Sequence, residues 1–125
     1  MEKKRILVID DEVTVTRGLK LYLEGTGNYE VRTENEGAKG VEAAREFLPH
    51  IIVLDVIMPD VDGGSVAMEI KADSMVKDTP IVFLTAIVSR EEVVAQDNLF
   101  HGHPFLAKPV SPEELVNTIE TVINS

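Results

Sequence analysis

A chain of 125 residues suits one compact domain, and the absence of cysteine excludes disulfide staples, thiolate metal sites and thiol nucleophiles. The 12 Lys and Arg against 22 Asp and Glu leave a formal charge of -10, which repels nucleic acid and argues against direct DNA binding. The basic start, Met1 to Arg5, is followed by four apolar residues and then two aspartates, so it reads as neither a signal peptide nor a membrane span.

Ile6 to Ile9 is continuously apolar, the pattern of a strand buried on both faces. Val15, Leu19, Tyr22 and Leu23 recur at helical spacing before Gly25, an ordinary stop signal. Tyr29 to Thr33 is polar enough for a strand near the sheet edge, and Ala38, Val41, Ala44, Phe47 and Leu48 mark a second helix ending at Pro49. Ile51 to Leu54 and Ile81 to Leu84 are two more buried strands, separated by a helix from Gly64 to about Ser74 that carries Val66, Ala67 and Ile70. A shorter fourth helix is predicted over Ser89 to Asn98, and Phe105 to Ala107 supplies a fifth strand. Ser111-Pro112-Glu113-Glu114 places a capping serine, a proline at the first helical position and a glutamate at the third. Leu115, Val116, Ile119, Val122 and Ile123 then form one apolar stripe. Five strands alternating with five helices predict an α/β domain with a parallel sheet and right-handed crossovers, in which ligands bind outside the carboxyl ends of the strands.

At those ends stand Asp10, Asp11 and Glu12 after the first strand, Asp55 after the third, Thr85 after the fourth, and Lys108-Pro109 after the fifth. Several carboxylates brought together call for a hard cation, and magnesium, which accepts carboxylates, water and phosphate oxygens in an octahedron, fits best. One carboxylate is then free to act as a nucleophile toward phosphorus, with a lysine and a threonine positioned for phosphoryl oxygens. Asp55, on an apolar and interior strand, is the central candidate. Taken singly, each residue has a plain alternative: Asp10-Asp11 as a helix cap or turn, Asp55 as a loop opening, Thr85 as a strand end, Lys108 as a solvated charge. Their order along the chain favours one shared site.

Ile6-Leu7-Val8-Ile9-Asp10-Asp11-Glu12, Leu54-Asp55-Val56-Ile57-Met58-Pro59-Asp60-Val61-Asp62-Gly63 and Phe105-Leu106-Ala107-Lys108-Pro109 resemble the receiver domain of two-component response regulators, over essentially the whole chain. The resemblance implies a flavodoxin-like (βα)5 fold with strand order 2-1-3-4-5 over residues 1–125, in the cytoplasm and without a membrane segment. It implies phosphoryl transfer to Asp55 from a phosphohistidine on a sensor histidine kinase or histidine phosphotransfer protein. The domain would then be a phosphoacceptor regulator and not an enzyme with its own substrate. Asp11 and Asp55 would bind Mg2+, with Mn2+ as a substitute, by side chain; Asp10 would act directly or through water, and Ile57 would contribute its backbone carbonyl. Lys108 would bridge to the phosphoryl group, Thr85 would move to bond it, Phe105 would follow Thr85 as a switch, and Pro109 would follow a cis peptide bond. Gly63 would permit the turn into the third helix. Phosphorylation would change the face formed by the fourth helix, fifth strand and fifth helix, acting on an effector domain or protein or through a homodimer.

Ile57 and Ile87 stand two residues after Asp55 and Thr85, and two apolar side chains there predict slow dephosphorylation, because neither can orient a water. His101 and His103 alternate in a segment that departs from the family's small and acidic residues; with no third ligand nearby they read as a solvated loop, and His50 reads as a surface residue. Val93 and Val94 suit either core or interface. Two competing functions are an aspartate-nucleophile phosphatase, disfavoured because Ile57 stands where a second acid is needed, and a receiver-like binding module that takes no phosphate. These 125 residues hold no effector domain or linker, which suits either a free-standing regulator or the receiver part of a longer regulator or hybrid kinase.

Overall fold

The computed structural model of the protein describes residues 2–86, 99–100 and 102–125. The predicted fourth helix, with Val93 and Val94, and the positions of Ile87 and His101 lie outside them. The elements run β1 (Lys4–Ile9), α1 (Val13–Gly25), β2 (Tyr29–Glu34), a short 3-10 turn (Gly37–Lys39), α2 (Gly40–Phe47), β3 (Ile51–Asp55), α3 (Gly63–Lys71), β4 (Ile81–Thr85), β5 (Leu99–Phe100), β6 (His103–Ala107) and α4 (Pro112–Ile123). The strand order is β2-β1-β3-β4-β6-β5. The five longer strands are parallel, in the predicted 2-1-3-4-5 order, and this is the flavodoxin-like fold. β5 is an addition to the expected sheet: it pairs antiparallel with β6, through a turn in which Gly102 adopts φ 81°.

Alternation of side chains along a strand explains why the apolar runs are continuous. Ile6 and Val8 of β1 join Ile51, Val53, Val82 and Leu84 on one face, beneath Leu19 and Leu23 of α1 and Leu115 and Ile119 of α4. Leu7 and Ile9 join Ile52, Leu54, Ile81, Phe83 and Phe105 on the other, beneath Ala43 and Ala44 of α2 and Val66, Ala67 and Ile70 of α3. β2 lies at the edge, where Tyr29 and Val31 still face the α1–α4 side. The Tyr29 hydroxyl donates to Glu120 of α4 at 2.5 Å, and burial, reinforced by that carboxylate, pushes the phenol's pKa up.

The helix ends follow local chemistry. Ser111 Oγ accepts from the Glu114 N–H at 3.1 Å with Pro112 opening α4, as the sequence predicts. Asp62 does the same for α3, accepting from Ser65 N–H at 2.8 Å. α1 ends at Gly25 as predicted, and Gly27 at φ 83° makes the left-handed turn that follows. Two stops differ from expectation: α2 stops one residue early, with Leu48 itself left-handed at φ 51° ahead of Pro49, and α3 ends at Lys71, short of the predicted Ser74. His50 is half-buried instead of a free surface residue: its Nδ1 accepts the Arg5 N–H at 2.9 Å, and burial, with the nearby Arg5 and Lys4 charges, lowers its pKa. His103 is likewise no solvated loop residue, since it lies on β6 with its ring edge-on to Phe83, centroids 5.7 Å apart. No helix among the described residues is long and apolar enough to cross a membrane.

Gly63 is required for a reason different from the expected turn. Its φ is not left-handed; instead a Cβ there would stand 2.2 Å from the Asp55 carbonyl oxygen and 2.8 Å from Val56 Cα. Gly63 N–H also donates to Val56 O at 2.7 Å, so α3 begins in direct backbone contact with the end of β3. Gly18, on the exposed side of α1, has nothing within 4 Å of such a Cβ. Gly63→Ala is therefore expected to destabilise the domain by roughly 1–3 kcal/mol through overpacking, and Gly18→Ala to stabilise it by about 0.5–1 kcal/mol through helix propensity. Urea midpoints at constant slope measure both, and equal shifts of the two variants would contradict this account.

Candidate functional site

Register brings four strand ends level. Ile9 pairs with Leu54, Asp55 with Leu84, and Thr85 with Ala107, so Asp10, Asp55, Thr85 and Lys108 emerge along one edge of the sheet. Backbone bonds hold the exits: Val56 N–H donates to Leu84 O at 2.9 Å and Lys108 N–H to Thr85 O at 2.9 Å. Asp10 (0% exposed), Asp55 (4%) and Thr85 (1%) are buried there, with Asp11 half-buried beside them. The Lys108–Pro109 peptide is cis.

One carboxylate oxygen from each of Asp10, Asp11 and Asp55 lies within 4.8 Å of the others. Lys108 Nζ is the cation among them, 2.7 Å from Asp10 Oδ2, 3.2 Å from Glu12 Oε1 and 3.4 Å from Asp55 Oδ1. Asp10 Oδ2 is fully buried and its contact with the ammonium at 2.7 Å is an ion pair whose angles fall outside regular hydrogen-bond geometry. Asp10 Oδ1 is occupied by the Glu12 N–H at 2.9 Å, and Asn35 Nδ2 donates to the Asp10 carbonyl at 2.8 Å and to Thr16 Oγ1 at 3.0 Å. The residue is thus clamped with one buried oxygen left undirected.

Burial, then the Asp10 charge, raises the Asp55 pKa to about 6 against the opposing pull of Lys108. Burial works to lower the Lys108 pKa, but Asp10, Asp55 and Glu12 together push it up to about 12. The donor set therefore fits a hard divalent cation: three oxygen ligands, an excess of negative charge, and a buried oxygen with no directed donor.

The family model described as "Response regulator receiver domain" matches residues 6–120. The chain belongs to the response regulator receiver family. Among curated relatives, the probable transcriptional regulator ycf27 of Pyropia yezoensis is 36% identical over 98% of this chain and 48% of its own length. This receiver spans about half the length of the curated relatives it matches. Among solved structures, a putative response regulator from Chloroflexus aurantiacus superposes with a TM-score of 0.84 at 30% identity, covering 99% of this chain and 100% of that one. The receiver domain of the sensor histidine kinase PA1611 from Pseudomonas aeruginosa, whose structure has a magnesium ion in its active-site cleft, gives 0.83 at 26% identity, covering 99% and 100%.

Of the residues singled out in the sequence, this receiver brings Asp10, Asp11, Asp55 and Lys108 into one cluster, with Thr85 at the adjoining strand end. Ile57 sits at the rim with its side chain half exposed, and its nearby backbone acts to lower the Asp55 pKa, against the burial that raises it. Phe105 is buried, in the same core cluster as Phe83. Sequence reasoning missed the contact of Glu12 with Lys108 and the clamp of Asn35 on Asp10; the second pair is 25 residues apart and carries no local pattern.

The raised Asp55 pKa has a stability consequence in metal-free buffer. An isolated aspartate titrates near 4, so between about pH 4 and 6 the folded receiver holds a proton that the unfolded chain has lost, and stability falls as pH rises through that window. Above it the ionised Asp55 costs roughly 1–3 kcal/mol. In EDTA at pH 7.5, Asp55→Asn is expected to raise Tm, with the gain disappearing near pH 4; a lower Tm for the variant at pH 7.5 contradicts the assignment.

Proposed function

We propose that this receiver is a phosphorylation-activated switch of a two-component system or phosphorelay, with Asp55 as the phosphoacceptor. The observation that carries the reading is the convergence of Asp55 with Asp10, Asp11 and Lys108 at the strand ends. Asp11 and Asp55 would hold magnesium by side chain, Asp10 directly or through water, and Ile57 by its carbonyl; the ion would supply neutralisation of charge on the transferring group. An Asp55 carboxylate oxygen forms a bond to phosphorus as the phosphorus–nitrogen bond of a partner's phosphohistidine breaks, and the imidazole nitrogen leaves with the electron pair. Lys108 pairs with one phosphoryl oxygen and Thr85 donates a hydrogen bond to another, which draws Phe105 and the β6–α4 face toward a new arrangement. That face alters binding to an effector domain or protein, or to a second copy. The charge of -10 disfavours direct contact of this domain with DNA, so an effect on transcription passes through another domain or partner.

A phosphatase needs a second acid near the nucleophile to protonate or activate water. Ile57 occupies the position two residues on, apolar and half exposed, and supports the acceptor reading over turnover.

With magnesium and acetyl phosphate, intact mass is expected to rise by one phosphoryl group, and to stay unchanged in Asp55→Asn or in EDTA. Label persisting at another residue in the variant removes Asp55 from the role. The apolar side chain of Ile57, together with Ile87, predicts a phosphoryl group that outlasts minutes in the isolated domain. A half-life of seconds after removal of the donor contradicts that expectation.

A further inference from the structure

We propose that Glu12 is a positioning residue that tethers the Lys108 ammonium toward α1 and so restrains phosphorylation of Asp55; this rests on the phosphoacceptor reading above. Glu12 occupies the cap position of α1, where the short side chains of Ser, Thr, Asp or Asn ordinarily bond the first-turn N–H groups and the longer glutamate is free to reach elsewhere. It makes no such bond. Its Oε1 instead accepts from Lys108 Nζ at 3.2 Å, across 96 residues of sequence. This bond meets hydrogen-bond geometry, while the nearer Asp10 Oδ2 does not.

The backbone of Glu12 is held on both sides. Its N–H donates to Asp10 Oδ1 at 2.9 Å, and its carbonyl accepts from Val15 N–H at 3.0 Å and Thr16 N–H at 3.1 Å. The carboxylate therefore reaches Lys108 from a fixed base, and only side-chain torsions can release it. There is room for release: the Glu12 side chain is 56% exposed, and with Lys108 it borders a cleft of about 610 Å3 walled by Val15, Leu19 and Val110.

Three carboxylates share this one ammonium, and Asp55 is the most distant of them. Asp10 and Asp55 belong to the trio suited to a cation, whose charge would offset theirs; Glu12 stands outside that trio, so a cation held there would leave the Glu12 charge free to pair with Lys108. The charge that develops on the phosphoryl oxygens as transfer proceeds must compete with Glu12 for the same donor. A tether of this kind leaves donor binding alone and lowers the maximal rate, because Lys108 acts on charge that develops during transfer.

The test uses initial rates of phosphorylation by acetyl phosphate at saturating magnesium, read by intact mass across donor concentrations. In this reaction an Asp55 oxygen bonds to phosphorus, the phosphorus–oxygen bond to the acyl group breaks, and acetate leaves with the electron pair. Glu12→Asp keeps the charge but is one methylene too short to hold Lys108; Glu12→Gln removes the charge. Both are expected to raise the maximal rate about 2- to 5-fold, the range that loss of an exposed ion pair commands. Glu12→Asp should leave the half-saturating donor concentration unchanged, whereas Glu12→Gln should lower it by removing repulsion of the anionic donor. A maximal rate in Glu12→Asp that equals or falls below the wild-type value overturns the tether, whatever Glu12→Gln does. Wild-type protein that takes no label overturns the phosphoacceptor reading and this inference with it; labelled wild type with unaccelerated variants overturns the tether alone.

Discussion

Asp10, Asp11 and Asp55 converge on a few ångströms of space at the carboxyl edge of a sheet that is otherwise apolar, and the site is organised around their mutual repulsion. Like charges at this range in a partly desolvated setting raise proton affinity, and Asp55 shows it. Lys108 offsets part of the excess from the end of β6, where its N–H bond to Thr85 O anchors the backbone from which the side chain reaches the acids. Four acids around one lysine leave the cluster with unspent negative charge, so a cation or a proton is favoured before chemistry begins. A divalent ion held there would release an electrostatic cost that the fold carries at the end of its core strands.

That cost is tolerable because the scaffold around the acids is rigid. Asn35 fixes the Asp10 carbonyl, and Gly63 packs its Cα against the backbone of Asp55 with no space for a side chain. The two core clusters, one on each face of the sheet, hold β1, β3 and β4 in register, and register alone makes the strand ends level. Movement at the site therefore falls to side chains at its rim, where Glu12 and Ile57 are exposed.

Much of this was legible in the sequence, for identifiable reasons. Ile6 to Ile9, Ile51 to Leu54 and Ile81 to Leu84 announce buried parallel strands because both faces of each are covered, and the polar residue ending each run marks the ligand edge. The α4 start was legible because serine, proline and glutamate each act within one turn. What stayed hidden depends on contacts between distant segments. His50 against Arg5, His103 against Phe83 and Glu12 against Lys108 are set by tertiary packing, and no periodicity encodes them. Gly63 was visible as a glycine, but its reason, proximity to the Asp55 carbonyl, required the path of β3 beside α3. The β5 edge strand escaped notice because two residues are too few to show a period.

The division of the core into two faces also bears on how the protein is made. Ile6 and Val8, near the start of the chain, share their cluster with Leu115 and Ile119, and the edge-strand Tyr29 is bonded to Glu120. The face under α2 and α3 draws most of its residues from the first two thirds of the chain. During synthesis, then, the α2–α3 side can be covered early, while the other side has only α1 over it until α4 has cleared the ribosome. Until then the part of the Ile and Val surface that Leu115 and Ile119 cover in the folded domain has no cover from α4, the kind of transiently exposed apolar surface that invites aggregation.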